Sequence, residues 1–165
     1  MGRPTPDEPG PGQESVWDYP RPPRLEPARR RIRAIAAGAT LADSTRALRV
    51  LETSHPPTYY LPREDVRMEL LERGQGASFC EWKGRAVYFD AVVAGRRVPR
   101  VAWSYPEPSP AFEGLRDHLA FYLPSLDEGR VDDERARPQP GGFYGGWITS
   151  DLAGPFKGAP GSAGW

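Results

Sequence analysis

The sequence contains a single cysteine, Cys80, among its 165 residues. One thiol cannot form a disulfide within the chain, and it cannot build a thiolate-rich zinc site. The two histidines, His55 and His118, are isolated in the sequence, and we expect both at the surface or at a strand edge. This scarcity of metal ligands predicts no structural metal. We also expect no cofactor.

The sequence also lacks a long apolar run and an excess of charge. No run approaches the roughly 18 residues of a membrane span, and the N-terminal MGRPTPDEPGPGQ lacks the basic and apolar order of a signal peptide. Lys and Arg total 22, as do Asp and Glu, so no overall field attracts nucleic acid or an anionic membrane. We expect a soluble cytoplasmic protein whose partners include neither nucleic acid nor a membrane.

Proline and glycine, by contrast, are abundant. The 20 prolines and 18 glycines lie largely outside the middle of the chain, which predicts one core domain with two irregular arms. Aromatic residues in both arms favour docking on the core over free tails, because solvated tails rarely contain aromatics. The predicted segments are a disordered tail (1–13), a docked proline-rich arm (14–30), the core domain (31–126), a polar linker (127–137) and a glycine- and aromatic-rich arm (138–165).

The middle of the chain predicts a mainly β fold. Alternating apolar and polar residues predict strands, in the segments 31–44 (a hairpin), 48–54, 84–105 (a second hairpin) and 118–126. Pro62, with Glu64 and Asp65 behind it, has the pattern of a helix start, so PREDVRMELLER predicts one short helix that ends before Gly74. Six or seven strands around one helix are not the alternating order of a parallel β/α sheet.

Four segments, LETSHPPTYYLPREDVRMELL, CEWKGRAVYF, VAWSYPEP and LAFY, resemble in order and wording the family catalogued as domain of unknown function 427. The resemblance covers roughly residues 32–126. The outer segments ESVWDYPRPP and GGFYGGWITSDLAGPFKGAPGSAGW resemble the arms of a bacterial subset of that family.

The resemblance implies a β-tent fold, in which two small antiparallel sheets meet at an angle, as in methionine-R-sulfoxide reductase B and the thalidomide-binding domain of cereblon. Many β-tent relatives carry two Cys-x-x-Cys pairs for zinc, but here the partner of Cys80 would fall at Lys83. Some catalogues label the family nucleotidyltransferase-like. The chain lacks the Gly-Ser followed by Asp-x-Asp that such chemistry uses, and has only the adjacent pair Asp132 and Asp133.

Residues 51–90 have the highest density of reactive side chains and therefore predict a site. Within them, Cys80 and Lys83 have two interpretations. A nearby ammonium can lower the pKa of a thiol and make it a nucleophile. Alternatively, Cys80 is a small buried apolar residue and Lys83 is a surface charge where the chain enters a hairpin.

A second group of candidates surrounds two adjacent tyrosines, Tyr59 and Tyr60, which a strand would point to opposite sides. Glu52, Arg63 and Asp65 flank them, either as a charged rim with Glu52 as hydrogen-bond acceptor or general base, or as ordinary ion pairs at a helix start beside a solvated Glu52. Further aromatic residues would complete the wall of a pocket, or would instead pack the core: Trp103, Tyr105, Phe121 and Tyr122.

The hypothesis that follows is a ligand pocket at the sheet junction, in which Glu52 and Lys83 face one concavity from different strands. The ligand would be a small polar or aromatic molecule; an enzymatic role is left open and no catalytic residue is assigned. The main alternative is an interaction module that grips a peptide or a second copy of the chain, and a nucleotidyltransferase is the third. A concavity with convergent polar groups favours the pocket, whereas a flat aromatic patch favours the module.

Overall fold

Two antiparallel sheets contain most of the strands. The computed structural model describes residues 2–165. The strands are β1 (Glu14–Ser15), β2 (Arg24–Pro27), β3 (Ile32–Ala36), β4 (Ala39–Ser44), β5 (Leu48–Leu51), β6 (Thr58–Pro62), β7 (Leu71–Cys80), β8 (Gly84–Val93), β9 (Arg96–Ser104), β10 (His118–Phe121), β11 (Glu128–Val131), β12 (Glu134–Arg135), β13 (Arg137–Pro138), β14 (Trp147–Ile148) and β15 (Leu152–Ala153). Short 3-10 helices span Val16–Asp18, Arg63–Asp65, Met68–Leu70, Pro110–Leu115 and Leu123–Ser125. The prediction of a mainly β fold is confirmed.

The larger sheet has seven strands in the order β2-β5-β6-β10-β9-β8-β7, and the smaller has four in the order β12-β11-β3-β4. Buried side chains of both sheets belong to one apolar cluster, with Ile32 and Leu41 from the smaller sheet and Leu61, Val101 and Leu119 from the larger. The main core therefore lies between the two sheets. The β-tent architecture that the resemblance implies stays a prediction.

The larger sheet is covered on both faces. Tyr59 joins the core between the sheets, whereas Tyr60 points to the other face and packs in a second cluster with Tyr105, Phe112 and Leu115. The alternation of side chains along β6 explains this division, and the predicted opposite orientation of the two tyrosines is confirmed. The second face carries the candidate site.

The segment 62–73 differs from the predicted helix. It forms two single 3-10 turns, and β7 already begins at Leu71. Val66, between the turns, is buried and pairs with Ala42, and the Arg67 N–H donates to the Leu41 carbonyl at 2.8 Å. These hydrogen bonds to β4 hold the backbone extended, so that tertiary pairing overrides the local helical pattern.

The segment 127–137 is not a linker but supplies strands to the smaller sheet. Strand β11 lies between β3 and β12, and within it Gly129 and Val131 are buried while Glu128 and Arg130 are partly exposed. The polar composition hid this alternation. A Cβ atom at position 129 would lie 2.6 Å from the Trp147 ring, so glycine here makes room for the indole.

The Trp147 indole anchors the C-terminal arm in the core. Trp147 is 1% exposed, packs edge-on against Tyr59 with 5.9 Å between ring centroids, and donates its Nε1–H to the Phe121 carbonyl at 3.1 Å. Further along, Gly141 and Gly158 meet back to back: a Cβ on Gly158 would lie 1.9 Å from the Pro140 carbonyl oxygen. Close backbone approach explains why glycines alternate with aromatics in this segment.

The two arms also bind each other. Strand β1 pairs in parallel with β15, and the Trp17 indole donates to the Pro155 carbonyl at 2.9 Å and lies 5.6 Å from the Trp165 ring. The Arg49 guanidinium donates to the Glu14 carboxylate at 2.6 Å, and the Tyr19 hydroxyl donates to the same oxygen at 2.8 Å. The start of the chain is thus tied to both the C-terminal arm and the larger sheet.

None of the helices within residues 2–165 has the length and apolar character that a membrane crossing requires.

Replacing Gly158 by Ala should loosen the C-terminal arm. The new Cβ would collide with the backbone of Pro140, and Gly158 has a φ of +134°, which favours glycine. We expect a loss of roughly 2 kcal/mol in the free energy of unfolding, measured in urea. Gly10→Ala is the matched control, because the added Cβ would make an ordinary contact of 3.4 Å. Equal stability of the two variants would contradict the close packing of the arm.

Replacing Glu14 by Gln should weaken the N-terminal attachment by about 1 kcal/mol at pH 7, because the carboxylate is partly exposed. Burial alone would raise the pKa of Glu14, but the hydrogen bonds from Arg49 and Tyr19 outweigh it and hold the pKa below 4.5. The stabilisation is therefore present above about pH 4.5 and lost as the pH falls through the folded-state pKa. Urea denaturation at several pH values measures it, with Glu8→Gln, at an exposed position, as control. A difference between wild type and Glu14→Gln that does not shrink in acid would show that the charge is not responsible.

Candidate functional site

A cavity of about 630 Å³ opens on the second face of the larger sheet. Three parts of the chain form its wall: the end of β5 with the start of β6, the β7 to β9 strands, and the C-terminal arm around residues 139–145 and 157. The structure brings most of the sequence-predicted site residues together here, namely Glu52, Tyr60, Cys80, Lys83, Trp103, Tyr105 and Tyr122.

Four of the predicted residues lie elsewhere. Phe121 is buried in the core between the sheets. Tyr59 is buried in the core between the sheets, against Trp147, because the alternation of β6 turns it away from the cavity. Asp65 accepts hydrogen bonds from Ser44 at 2.6 Å and from Arg46 at 2.8 Å, which makes it part of an ion pair at the edge of the smaller sheet. Arg63 belongs to a 3-10 turn whose backbone N–H bonds to Asp117, and it does not line the cavity.

Aromatic rings make up much of the cavity wall. Tyr60 packs edge-on against Trp103, with 6.3 Å between centroids, and lies 6.2 Å from Tyr105. Burial raises the pKa of the Tyr60 and Tyr105 phenols well above the usual value of 10.0. Both hydroxyls therefore stay protonated and can donate a hydrogen bond inside an apolar surrounding.

Cys80 and Lys83 lie at the turn between β7 and β8. Cys80 is a free, partly buried thiol that packs against the second cluster, so it lines the cavity and contributes to packing. The Lys83 backbone is held by a hydrogen bond from the Ser109 N–H to its carbonyl at 3.0 Å. The Lys83 ammonium lies 5.9 Å from the centroid of Tyr105 and 6.0 Å from that of Phe112. In the described part of the chain, no carboxylate lies within 4.0 Å of it.

A series of polar contacts joins His55, in the segment between β5 and β6, to the C-terminal arm. The Gln139 side chain donates from Nε2 to the Lys157 carbonyl at 2.9 Å and accepts at Oε1 from the Gly146 N–H at 3.1 Å, which fixes the orientation of its amide. The same Nε2 lies 3.0 Å from His55 Nδ1, which must therefore accept. The His55 proton accordingly resides on Nε2, which faces the Glu52 carboxylate at 3.6 Å.

His55 corrects the prediction of a surface histidine. Its side chain is 13% exposed, and its ring packs edge-on against Tyr144 with 4.9 Å between centroids. Burial lowers the pKa of His55 to about 4; Lys157 and Arg21 oppose protonation further, while Glu52 favours it. The imidazole is neutral at physiological pH, and its Nε2 faces the Glu52 carboxylate. His118 is partly exposed at the first position of β10, which is a central strand of the larger sheet.

Several cavity residues escaped the sequence analysis, above all those of the arm: Gln139, Tyr144 and Lys157. The amino-acid composition could have pointed to Lys157. The chain has only two lysines, Lys83 and Lys157, against 20 arginines, and both line this cavity.

The fold and the cavity together define a mainly β protein with an aromatic, mixed-charge site. A family model described as Domain of unknown function (DUF427) matches residues 24–135, which is more than half of the chain. The protein therefore belongs to the DUF427 family. No curated protein matches the sequence. The matched segment ends before Gln139, so the arm that closes one side of the cavity lies outside it.

Metal ligands are not grouped in the structure. Within residues 2–165, no cluster of three or more His, Cys, Asp or Glu side chains has an arrangement that could hold a metal ion. The polar groups of the cavity are instead ammonium, guanidinium, carboxylate, imidazole and phenol groups, which suit hydrogen bonding and ion pairing with an organic molecule.

The neutral state of His55 makes a testable prediction. In ¹⁵N-edited NMR, His55 should titrate near pH 4 and show the Nε2–H tautomer at pH 7, with a His118→Gln variant to assign the signals. Because the unfolded histidine titrates near 6.5, the free energy of unfolding should fall by up to about 1.4 kcal/mol per pH unit as the pH drops from 6.5 towards 4. A His55 midpoint above pH 6 would contradict the burial of this ring.

Proposed function

We propose that the protein binds a small polar or aromatic molecule in the cavity between the larger sheet and the C-terminal arm. The observation that carries this proposal is the convergence of polar side chains from three separate segments into one aromatic-walled concavity. Glu52, directly after β5, and Lys83, in the turn between β7 and β8, both line it. A flat aromatic patch, the geometry that favours an interaction module, would not bring charges of both signs into a concave space.

The size of the cavity supports the proposal. A volume of about 630 Å³ falls within the range of roughly 300–1,000 Å³ in which small-molecule sites usually lie. The cavity is open to solvent on one side, so a small molecule can enter it. The buried hydroxyls of Tyr60 and Tyr105 and the charged groups supply the few oriented polar contacts that such sites use for specificity.

An enzymatic role rests on Glu52. Its carboxylate is held by the Arg21 guanidinium at 3.5 Å and faces the His55 Nε2 at 3.6 Å, so that one carboxylate oxygen is oriented by both neighbours. The other oxygen can accept a proton or a hydrogen bond from a bound molecule. Cys80 and Lys83 line the same cavity, and we assign no reaction to them.

Two exposed aromatic residues at the mouth of the cavity support the second candidate, an interaction module. Phe79 and Phe143 are 78% and 82% exposed, and both border the cavity, one from β7 and one from the arm. Two large exposed rings at one mouth would suit a peptide side chain or a second copy of the chain. Size-exclusion chromatography with light scattering separates this second candidate from the first.

The ligand-binding proposal predicts that small molecules remain bound to the purified protein. Denaturation of the wild-type protein should release a compound in stoichiometric amount, which mass spectrometry detects. Thr58→Trp should reduce the amount of this compound at least tenfold, because the larger side chain fills part of the cavity. Thr40→Trp, at an exposed position of β4, is the matched control and should retain the compound. Retention by Thr58→Trp equal to that of Thr40→Trp would place the binding elsewhere, and a dimer that buries the rim would favour the interaction module.

A further inference from the structure

The distribution of the lysines separates this cavity from the rest of the surface. Lys83 and Lys157 are the two side-chain amines of the chain, and both line the cavity, while the other 20 basic residues are arginines. Lysine offers a compact, strongly hydrated charge with rotatable donors, whereas arginine offers a planar fork. The structure therefore places at this one site a type of cation that the described surface outside it lacks.

The carboxylates of the wall do not neutralise Lys83. Glu52 is engaged by Arg21 and faces His55, and Glu81 is exposed at the turn beside Lys83. In the described structure the ammonium has aromatic rings as its neighbours, at about 6 Å, and no ion pair within 4.0 Å. A half-buried cation without a carboxylate partner is an attractive position for an anionic group, because burial strengthens the pairing.

Several aromatic rings border the same space. The Trp103 ring approaches the arm so closely that a Cβ on Gly145 would lie 2.2 Å from it, and the Tyr144 ring packs edge-on against His55. Lys157 and Arg100 add two more cations over rings, at 5.8 Å from the Tyr144 centroid and 4.2 Å from the Tyr88 centroid. Ring walls with positive charges between them are complementary to a flat molecule that carries negative charge.

Resting on the proposed function, we infer that the ligand of this cavity is a planar ring that bears an anionic group, with the Lys83 ammonium as the partner of the anion. The shared chemistry is that of an aromatic carboxylate or an aromatic phosphate ester. The ring would lie against Trp103 and Tyr105, and the anionic group would point towards the β7 to β8 turn.

An isosteric series of small probes tests charge and shape separately. Benzoate, benzamide and benzamidine have the same planar ring with negative, zero and positive charge, and cyclohexanecarboxylate keeps the charge without the planarity. Molecules of this size bind with a Kd on the order of 1 mM, which ligand-observed NMR measures. We expect benzoate to bind at least tenfold more tightly than benzamide, benzamidine or cyclohexanecarboxylate. Phenyl phosphate is a fifth probe. If it binds more tightly than benzoate, the anionic group of the ligand is a phosphate ester; if it binds more weakly, the group is a carboxylate.

Variants and chemical labelling test whether Lys83 is responsible for the preference for the anionic probe. Lys83→Met should remove the preference for benzoate over benzamide and leave benzamide binding unchanged. Arg85→Met, which removes a positive charge from an exposed position nearby, should keep the preference. In the wild-type protein, acylation by an N-hydroxysuccinimide ester, mapped by mass spectrometry, should be slowed at Lys83 by benzoate and not by benzamide. Thermal midpoints of the variants within a few degrees of wild type show that they are folded.

Each outcome decides the inference. Equal binding of benzoate and benzamide, or tightest binding of benzamidine, would overturn the anionic class while the cavity remained a binding site. Preference for benzoate that survives in Lys83→Met would overturn the role of Lys83. Absence of binding by every probe up to about 10 mM, well above the Kd expected of such fragments, would overturn the ligand class. The proposed function is tested independently by the compound that copurifies with wild type and its loss in Thr58→Trp.

Discussion

The packing of the Trp147 indole into the core, over Gly129, is the interaction on which the site depends. An indole of this kind removes on the order of 200 Å² from water, which corresponds to roughly 5 kcal/mol of apolar burial. Trp147 directly follows Gly145 and Gly146, whose backbones lie against Trp103 and Pro56 with no room for a side chain. The anchored indole therefore fixes the preceding residues of the arm as the second wall of the cavity.

The arm adds a wall to one face of the larger sheet and so forms a cleft that is open to solvent on one side. Gln139 links the arm to His55 by a hydrogen bond, and the His55 ring in turn faces the Glu52 carboxylate at 3.6 Å, so that residues far apart in the chain lie in contact. The N-terminal arm supports the same arrangement, because β1 pairs with β15 and Trp17 packs on Trp165. The family match stops at residue 135, and the wall of the cavity accordingly includes residues beyond the matched segment.

The sequence predicted the features that depend on neighbouring residues. The β3 to β4 and β8 to β9 hairpins follow from local alternation, and Glu52 and Lys83 were expected to share a concavity from their places beside strands. The helix over 62–73 was wrong, because hydrogen bonds to β4 decide that segment. His55 was misplaced since its partner, Gln139, is 84 residues away in sequence. Such pairings depend on how the arm folds back, which alternation and composition do not encode.

The arm and the β7 to β8 turn border one cavity, and a label on the sole cysteine measures directly whether they lie close together. A nitroxide spin label on Cys80 should broaden the amide signals of Gly142, Tyr144 and Lys157 in NMR spectra, since all these residues line the same space. The tip of the β8 to β9 hairpin at Gly95, roughly 30 Å along the strands, should keep sharp signals. Broadening of the arm without broadening of the hairpin tip is the predicted result. Arm signals that remain as sharp as that of Gly95 would show that the arm does not form the wall of the cavity, and would contradict the account.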